Sequence, residues 1–413
     1  MQPEFIRIRQ KFDDTKIENI EQSVKEQIRA IHPQIRPGAS IAITAGSRGI
    51  ANIAKIIRAT AEELRAMGAK PFIIPAMGSH GGATAEGQKQ VLASYGITEE
   101  AMGVPIRSSM EVVELPRGDL PNRVFMDRLA YESDGVVIVN RVKPHTDFHG
   151  PTESGILKMC VIGLGKHRQA IEMHSVGTRG LRELMPMTAR HVIQSGKILF
   201  ALGIVENAYD QTREIRAALP QDMERVDAEL LALARSNMPS LPAPDVDILI
   251  VDELGKEISG TGMDTNIIGR IKICGEEEPA SPRVSAIMVT DLTEASHGNA
   301  LGVGLADITT RRLFEKIDFR AMNENVMTST FVERGKIPVV AQSDEQALQY
   351  CLTVCRVREI EKAKIVRIKN TLCVQEMYVT RPYLESIQKP VEVLETGRLA
   401  FTGDGALPPV WKA

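Results

Sequence analysis

Four of the chain's eight histidines, His145, His149, His167 and His174, fall within thirty residues, where even spacing would place roughly half of one. An imidazole titrates near neutral pH and ligates borderline metals, so this clustering points to acid–base chemistry, metal binding or both. A fifth, His80, stands in Met77-Gly78-Ser79-His80-Gly81-Gly82, a glycine-rich run that lets a ligand approach the backbone. The run from Val142 to Gly150 presents His145 and His149 on a second loop. Shortly after it, Lys158 follows Ser154-Gly155-Ile156-Leu157, and burial among such residues would make an amine nucleophilic. Gly46-Ser47-Arg48-Gly49 precedes a helical stretch, so its backbone N–H groups favour an anion, and Arg48 adds a bidentate donor for carboxylate or phosphate. Each feature has a plainer reading: a structural histidine, an exposed lysine, a tight turn with a solvated arginine. Histidines on two loops leaving one sheet outweigh it.

Standard nucleotide and hydrolase signatures are absent. Gly163-Leu164-Gly165-Lys166 is followed by His167, where a phosphate loop requires Ser or Thr. His167 and His174, seven apart on an expected helix, belong to no His-Glu-x-x-His pair. The five cysteines, Cys160, Cys274, Cys351, Cys355 and Cys373, show no Cys-x-x-Cys spacing and read as reduced thiols. A zinc-type hydrolase built on His145, His149 and His174 is an alternative, but it leaves Lys158 without a task.

Apolar runs and helical stretches alternate from about residue 39. ASIAITAG reads as a strand, the stretch from Ile50 to Gly68 as a helix, KPFIIPAMG as a strand, Thr84 to Tyr95 as a helix, and DGVVIVNRV as a strand. That order predicts a parallel sheet, with His80, Ser47 and His145 on loops leaving its strands. Residues 181 to 236 read as mainly helical, and the proline-rich NMPSLPAPD marks a boundary. DVDILIVDEL, SAIMVTDL, KIPVVAQ and KIVRIKN then supply strands for a second unit. The expected fold class is α/β, with an N-terminal domain over 1–240 and a C-terminal domain over 245–413, both with largely parallel sheets.

The chain has 413 residues, 43% of them hydrophobic and 25% charged, with a net charge of -3. That balance offers no field to recruit nucleic acid or anionic lipid. Neither an export signal nor a membrane-length apolar run stands out, which favours a cytoplasmic protein with a small-molecule partner.

Ser47-Arg48, Gly78-Ser79-His80, Lys143-Pro144-His145 with Phe148 and Gly150, Ser154-Gly155 ahead of Lys158, and His174 together resemble the lactate racemase family, over roughly residues 40 to 180. The sixteen residues from Lys158 to His174 are the most specific element. The resemblance implies a nickel-pincer nucleotide covalently bound at Lys158, with His174 as the protein ligand of nickel. It further implies His80 and His145 as the two bases, Arg48 as the clamp on a substrate carboxylate, and Ser47, Ser154 and Gly155 as cofactor contacts. The implied activity is racemisation or epimerisation at C2 of a 2-hydroxy acid. One histidine takes the hydroxyl proton while hydride leaves to the cofactor, and the planar keto acid takes hydride back on its other face.

The implied architecture places the active site in a cleft between the two domains, with the C-terminal domain closing over the substrate. His297 and Asn299, in the loop from Asp291 to Asn299, are candidate substrate contacts. Implied partners are the 2-hydroxy acid and the cofactor-synthesis enzymes. Ala45 stands where the family commonly has Asp, three extra residues separate His145 from Lys158, and no second-domain lysine is assigned to the carboxylate. The longer loop around His149 and the missing lysine point to a substrate larger or more polar than lactate, such as a sugar acid. A non-catalytic homologue that keeps only the anion site is a further alternative.

Overall fold

The first strand, β1 (Glu4–Gln10), alternates apolar and polar residues, and Phe5, Ile6 and Ile8 are buried. The computed structural model describes residues 4–47 and 49–409, so the expected carboxylate clamp, Arg48, lies outside the described residues. The chain divides into two compact units, one formed by Asp13–Met238 and the other by Met1–Phe12 with Pro239–Ala413.

The unit 13–238 holds β2 (Ser40–Ala45), β3 (Lys70–Pro75), a hairpin of β4 (Val112–Leu115) and β5 (Val124–Asp127), β6 (Gly135–Arg141), β7 (Ile198–Glu206) and β8 (Thr212–Ala218). Its main sheet runs β3-β2-β6-β7-β8, parallel except for the last pair. Strand side chains alternate between two cores, as a sheet covered on both faces requires. Ile41, Ile43, Ile73 and Val137 pack with Ile56 and Ile57 of the helix Ile53–Ala66. Ala42, Ile74, Val136 and Ile138 pack on the other face with Leu157, Met159, Val192 and Leu230.

Two strands, β7 and β8, lie within the stretch that the sequence pattern assigns to helices. KILFALGIVE is a short apolar run whose period fits either element, and pairing with β6 makes it a strand.

The second unit adds β9 (Asp245–Leu254), β10 (Arg283–Leu292), β11 (Ile308–Thr310), β12 (Val339–Ala341), β13 (Ile365–Ile368), β14 (Glu376–Val379) and β15 (Val391–Arg398). Its sheet order is β12-β11-β10-β9-β13-β14-β1-β15, parallel from β12 to β13 and antiparallel beyond. The fold is therefore α/β with two largely parallel sheets. β1 departs from the contiguous N-terminal domain expected from sequence: it pairs with both β14 and β15, and Glu376 accepts hydrogen bonds from Arg7 and Arg9 across the ladder. No helix among the described residues is long and apolar enough to cross a membrane.

Because β1 is the sole link from β14 to β15 in the sheet order, Ile8→Ala should cost about 2–5 kcal/mol. Hydrogen exchange should show protection lost first in 391–398 and retained in β6; equal loss in both segments would contradict this role for β1.

Candidate active site

Three parallel strands of the first sheet leave their carboxyl ends into the loops singled out by sequence: β3 toward His80, β2 toward Ser47 and β6 toward His145. The helix after β2 covers one face and the helical segment after β6 covers the other, so β2 and β6 flank a topological switch point, where open α/β sheets form ligand crevices.

His145 and Lys158 meet directly, with Nε2 and Nζ 2.8 Å apart. The Asp147 N–H donates to His145 Nδ1 at 3.1 Å, and the imidazole lies against the Phe148 ring, centroids 4.7 Å apart. Burial holds His145 well below its ordinary pKa, with Lys158, Lys143 and His174 adding to the effect and Asp147 opposing it. His174 is also lowered, by burial first and by Lys158 next, again against Asp147. His145, Lys158 and His174 thus form one electrostatic cluster. Lys158 ends a short helix, Ile156–Lys158, that continues into a π-helical turn, Met159–Gly163, and then the helix Lys166–His174.

His80 and Ser47 form a second pair, Nδ1 to Oγ at 2.6 Å, and Nδ1 also lies 2.9 Å from the Met77 carbonyl oxygen. That oxygen can only accept, so a hydrogen bond there puts the proton on Nδ1 and the basic lone pair on Nε2. Tyr95 donates its hydroxyl to the Ser47 carbonyl at 2.6 Å. The helix after Gly46-Ser47 starts only at Ile53, not Ile50, and the turn ahead of it, read from sequence as an anion site, already meets an internal anion. The Ala51 N–H donates to Glu206 Oε1 at 2.6 Å, and Glu206 is ion-paired to Arg141.

Two buried carboxylates shape the site, and neither was assigned a task from sequence. Asp227 accepts from the Ile156 N–H at 2.9 Å and the Leu157 N–H at 3.1 Å, capping the helix that ends in Lys158. A Cβ on Gly155 would lie 1.9 Å from Asp227 Oδ1, which explains the glycine without any ligand. Glu153 accepts from the His145 N–H at 2.6 Å and from the Gly150 N–H at 3.1 Å, and it pairs with Arg235 and His149. Burial works to raise the Glu153 pKa, but bonds from His149, the His145 N–H and Arg235 outweigh it and hold the carboxyl below its usual range.

Ser154 closes the same loop through paired backbone bonds with Lys143, at 2.8 and 3.3 Å. Asp227 acts across a long sequence separation, as does the Glu153 pair with Arg235, which leaves no local signal for either contact. The zinc alternative is not assembled: among the described residues no three His, Cys, Asp or Glu side chains converge as a metal site, and His149 turns to Glu153.

His297 and Asn299 belong to the other unit, on the loop after β10. His297 is exposed, with a left-handed φ of 47°. Asn299 Nδ2 donates to Asn325 Oδ1 at 3.3 Å, and the same oxygen accepts from Lys256 Nζ at 2.7 Å. Lys256 was not singled out from sequence, although it follows Gly255 at the carboxyl end of β9, where strand-end reasoning would place a site residue.

A family described as Domain of unknown function (DUF362) matches residues 44–257, more than half of the chain. Among solved structures, the lactate racemase apoprotein from Thermoanaerobacterium thermosaccharolyticum is similar at a TM-score of 0.52 and 14% identity, over 90% of this chain and 99% of that one. A Thermotoga maritima protein is similar at a TM-score of 0.47 and 14% identity, over 68% and 72%. At this identity the likeness is one of fold. No curated protein matches the chain.

Burial pushes the Asp227 carboxyl up to about 6, from 3.8, against the bonds from Leu157 and Ile156. A raised folded-state pKa adds stability that is complete below the unfolded value and lost as pH rises through about 6. Asp227→Asn should therefore reduce the fall in unfolding free energy between about pH 4.5 and about pH 7 by on the order of 2 kcal/mol. Denaturant titrations at both pH values check this; parallel shifts in variant and wild type would contradict it.

Proposed function

The chain belongs to the DUF362 family, and from that premise we propose that it is an isomerase, a racemase or epimerase acting at C2 of 2-hydroxy acids. The observation that carries this reading is the 2.8 Å contact between Lys158 and His145, in one cluster with His174. The fold shared with a lactate racemase apoprotein supports it.

The donor set fits an amine-tethered nickel-pincer nucleotide: Lys158 is the primary amine for the tether, and His174 is an imidazole kept neutral by burial, the form that ligates a metal. Ser47, Ser154 and Gly155 line the segments that would hold it. Such a group supplies the hydride acceptor that no side chain provides.

The remaining steps belong to the chain. His145, unprotonated at neutral pH because of its burial, takes the hydroxyl proton from one enantiomer. His80, with its lone pair on Nε2, serves the other. Arg48 is assigned the clamp on the carboxylate. Glu153 and Asp147 fix the orientation of the His145 loop. The lengthened loop around His149 favours a substrate larger than lactate, such as a sugar acid.

Two measurements test this. Protein co-expressed with the cofactor-making enzymes should gain mass at Lys158, and Lys158→Ala should not. Loaded protein should racemise or epimerise at least one member of a panel of single-enantiomer 2-hydroxy acids, read by chiral chromatography. His80→Ala and His145→Ala should keep the adduct and lose about 10²- to 10⁴-fold in turnover. A loaded enzyme inert on every panel member, or no adduct at all, would sink the reading.

A further inference from the structure

Lys166 is buried to 1% side-chain exposure, a rare state for lysine, and it lies midway between Lys158 and His174. Its Nζ donates to Gln88 Oε1 at 3.2 Å and to the carbonyl oxygen of Pro75, the last residue of β3, and lies 3.1 Å from Asp127 Oδ2 as an ion pair. Asp127 is completely buried, and so is Gln88. The other end of Gln88 continues the chain of bonds. Its Nε2 donates to the carbonyl of Gly78 at 3.0 Å and to that of His80 at 3.2 Å. One ammonium thus ties the segment that carries Lys158 and His174 to both ends of the loop that carries His80.

Neighbouring contacts reinforce this connection. A Cβ on Gly163 would lie 3.2 Å from the Ala76 carbonyl, and one on Gly78 would lie 3.3 Å from Ile162, so the two segments are in close contact. The Asp127 N–H donates to the Leu164 carbonyl at 2.6 Å. Gln169 accepts from the Phe125 N–H at 2.7 Å and donates to the Arg123 carbonyl at 3.1 Å, which holds β5 against the same helix. Lys166 itself has a φ of 56°, a left-handed conformation that glycine would take with less strain, and residues held there mark places where the surroundings overrule local preference. A buried ion pair adds little net stability compared with apolar side chains of like volume, so its better-attested use is to fix one arrangement over others.

We propose that Lys166, with Asp127 and Gln88, is the positioning group of this site, setting where the His80 imidazole stands relative to Lys158 and His174. The inference rests on reading His80 as one of the two bases. It is tested on that imidazole without cofactor, so its failure and the failure of the racemase reading are separable.

Lys166→Met alone would strand Asp127, so the test uses Lys166→Met/Asp127→Asn and, independently, Gln88→Leu, which cuts only the links through Gln88. NMR of the unloaded protein should show the His80 titration midpoint moved by about half a pH unit or more in both variants, with an altered tautomer ratio. In the loaded enzyme kcat should fall about 10- to 100-fold, with KM within about threefold of wild type. Unchanged His80 titration and tautomer in Gln88→Leu would overturn the proposal, whatever the melting temperatures do, and that variant decides alone if the double variant does not fold. Absence of a Lys158 adduct would remove the racemase reading and leave the His80 measurement standing.

Discussion

A carboxylate cut off from water must find hydrogen-bond donors inside the protein, and the geometry of this site follows from that requirement. Asp227 finds them in the first N–H groups of the helix ending at Lys158, and its approach demands that residue 155 lack a side chain. Glu153 finds them in the backbone of His145 and Gly150 and in Arg235. Each acid draws backbone toward itself, and the backbone carries the amine and the imidazole that meet at 2.8 Å. The amine and the imidazole stand where they do because two buried acids hold the chain beneath them.

Burial then sets the protonation of what has been gathered. With the Asp147 N–H donating to Nδ1, a neutral His145 carries its proton on Nε2 and donates it to the Lys158 amine at 2.8 Å, so the pair carries no extra proton. The lowered pKa of His145, from burial first and the adjoining cations next, assigns the neutral form to the imidazole. His174 follows the same logic. A neutral imidazole can accept a proton or offer a lone pair to a metal, and a protonated one can do neither, so the apolar packing around Phe148 and Met173 has a chemical consequence as well as a structural one.

Much of this was readable from residue order, because the groups involved lie close in sequence. His145, Lys158 and His174 sit on one loop and the helical segment after it, and β2, β3 and β6 announce themselves as apolar runs between helices. The parts that were not readable share a cause. Asp227 reaches back to Ile156, Glu206 to Ala51, and Lys166 to Pro75 and Gln88. Nothing in a local window marks an acid or a lysine as the partner of a distant backbone group. β1 and β7 were hidden differently: a short strand pattern becomes a strand only when a neighbour supplies hydrogen bonds, and the neighbours of β1 arrive at the far end of the chain.

Why the histidines fall on separate loops follows from the sheet. A parallel strand delivers its carboxyl end to the same edge as its neighbours, so β3, β2 and β6 each contribute one loop to that edge, whatever their order in the chain. Between β2 and β6 the connecting helices leave to opposite faces. Loops at such a point are spaced by the sheet rather than by their own contacts, which fixes the strand ends and leaves the side chains to be aimed by local bonds. That division explains the density of buried polar contacts around His80 and His145: the sheet brings the loops to one edge, and Gln88, Lys166 and Glu153 settle which way their imidazoles face.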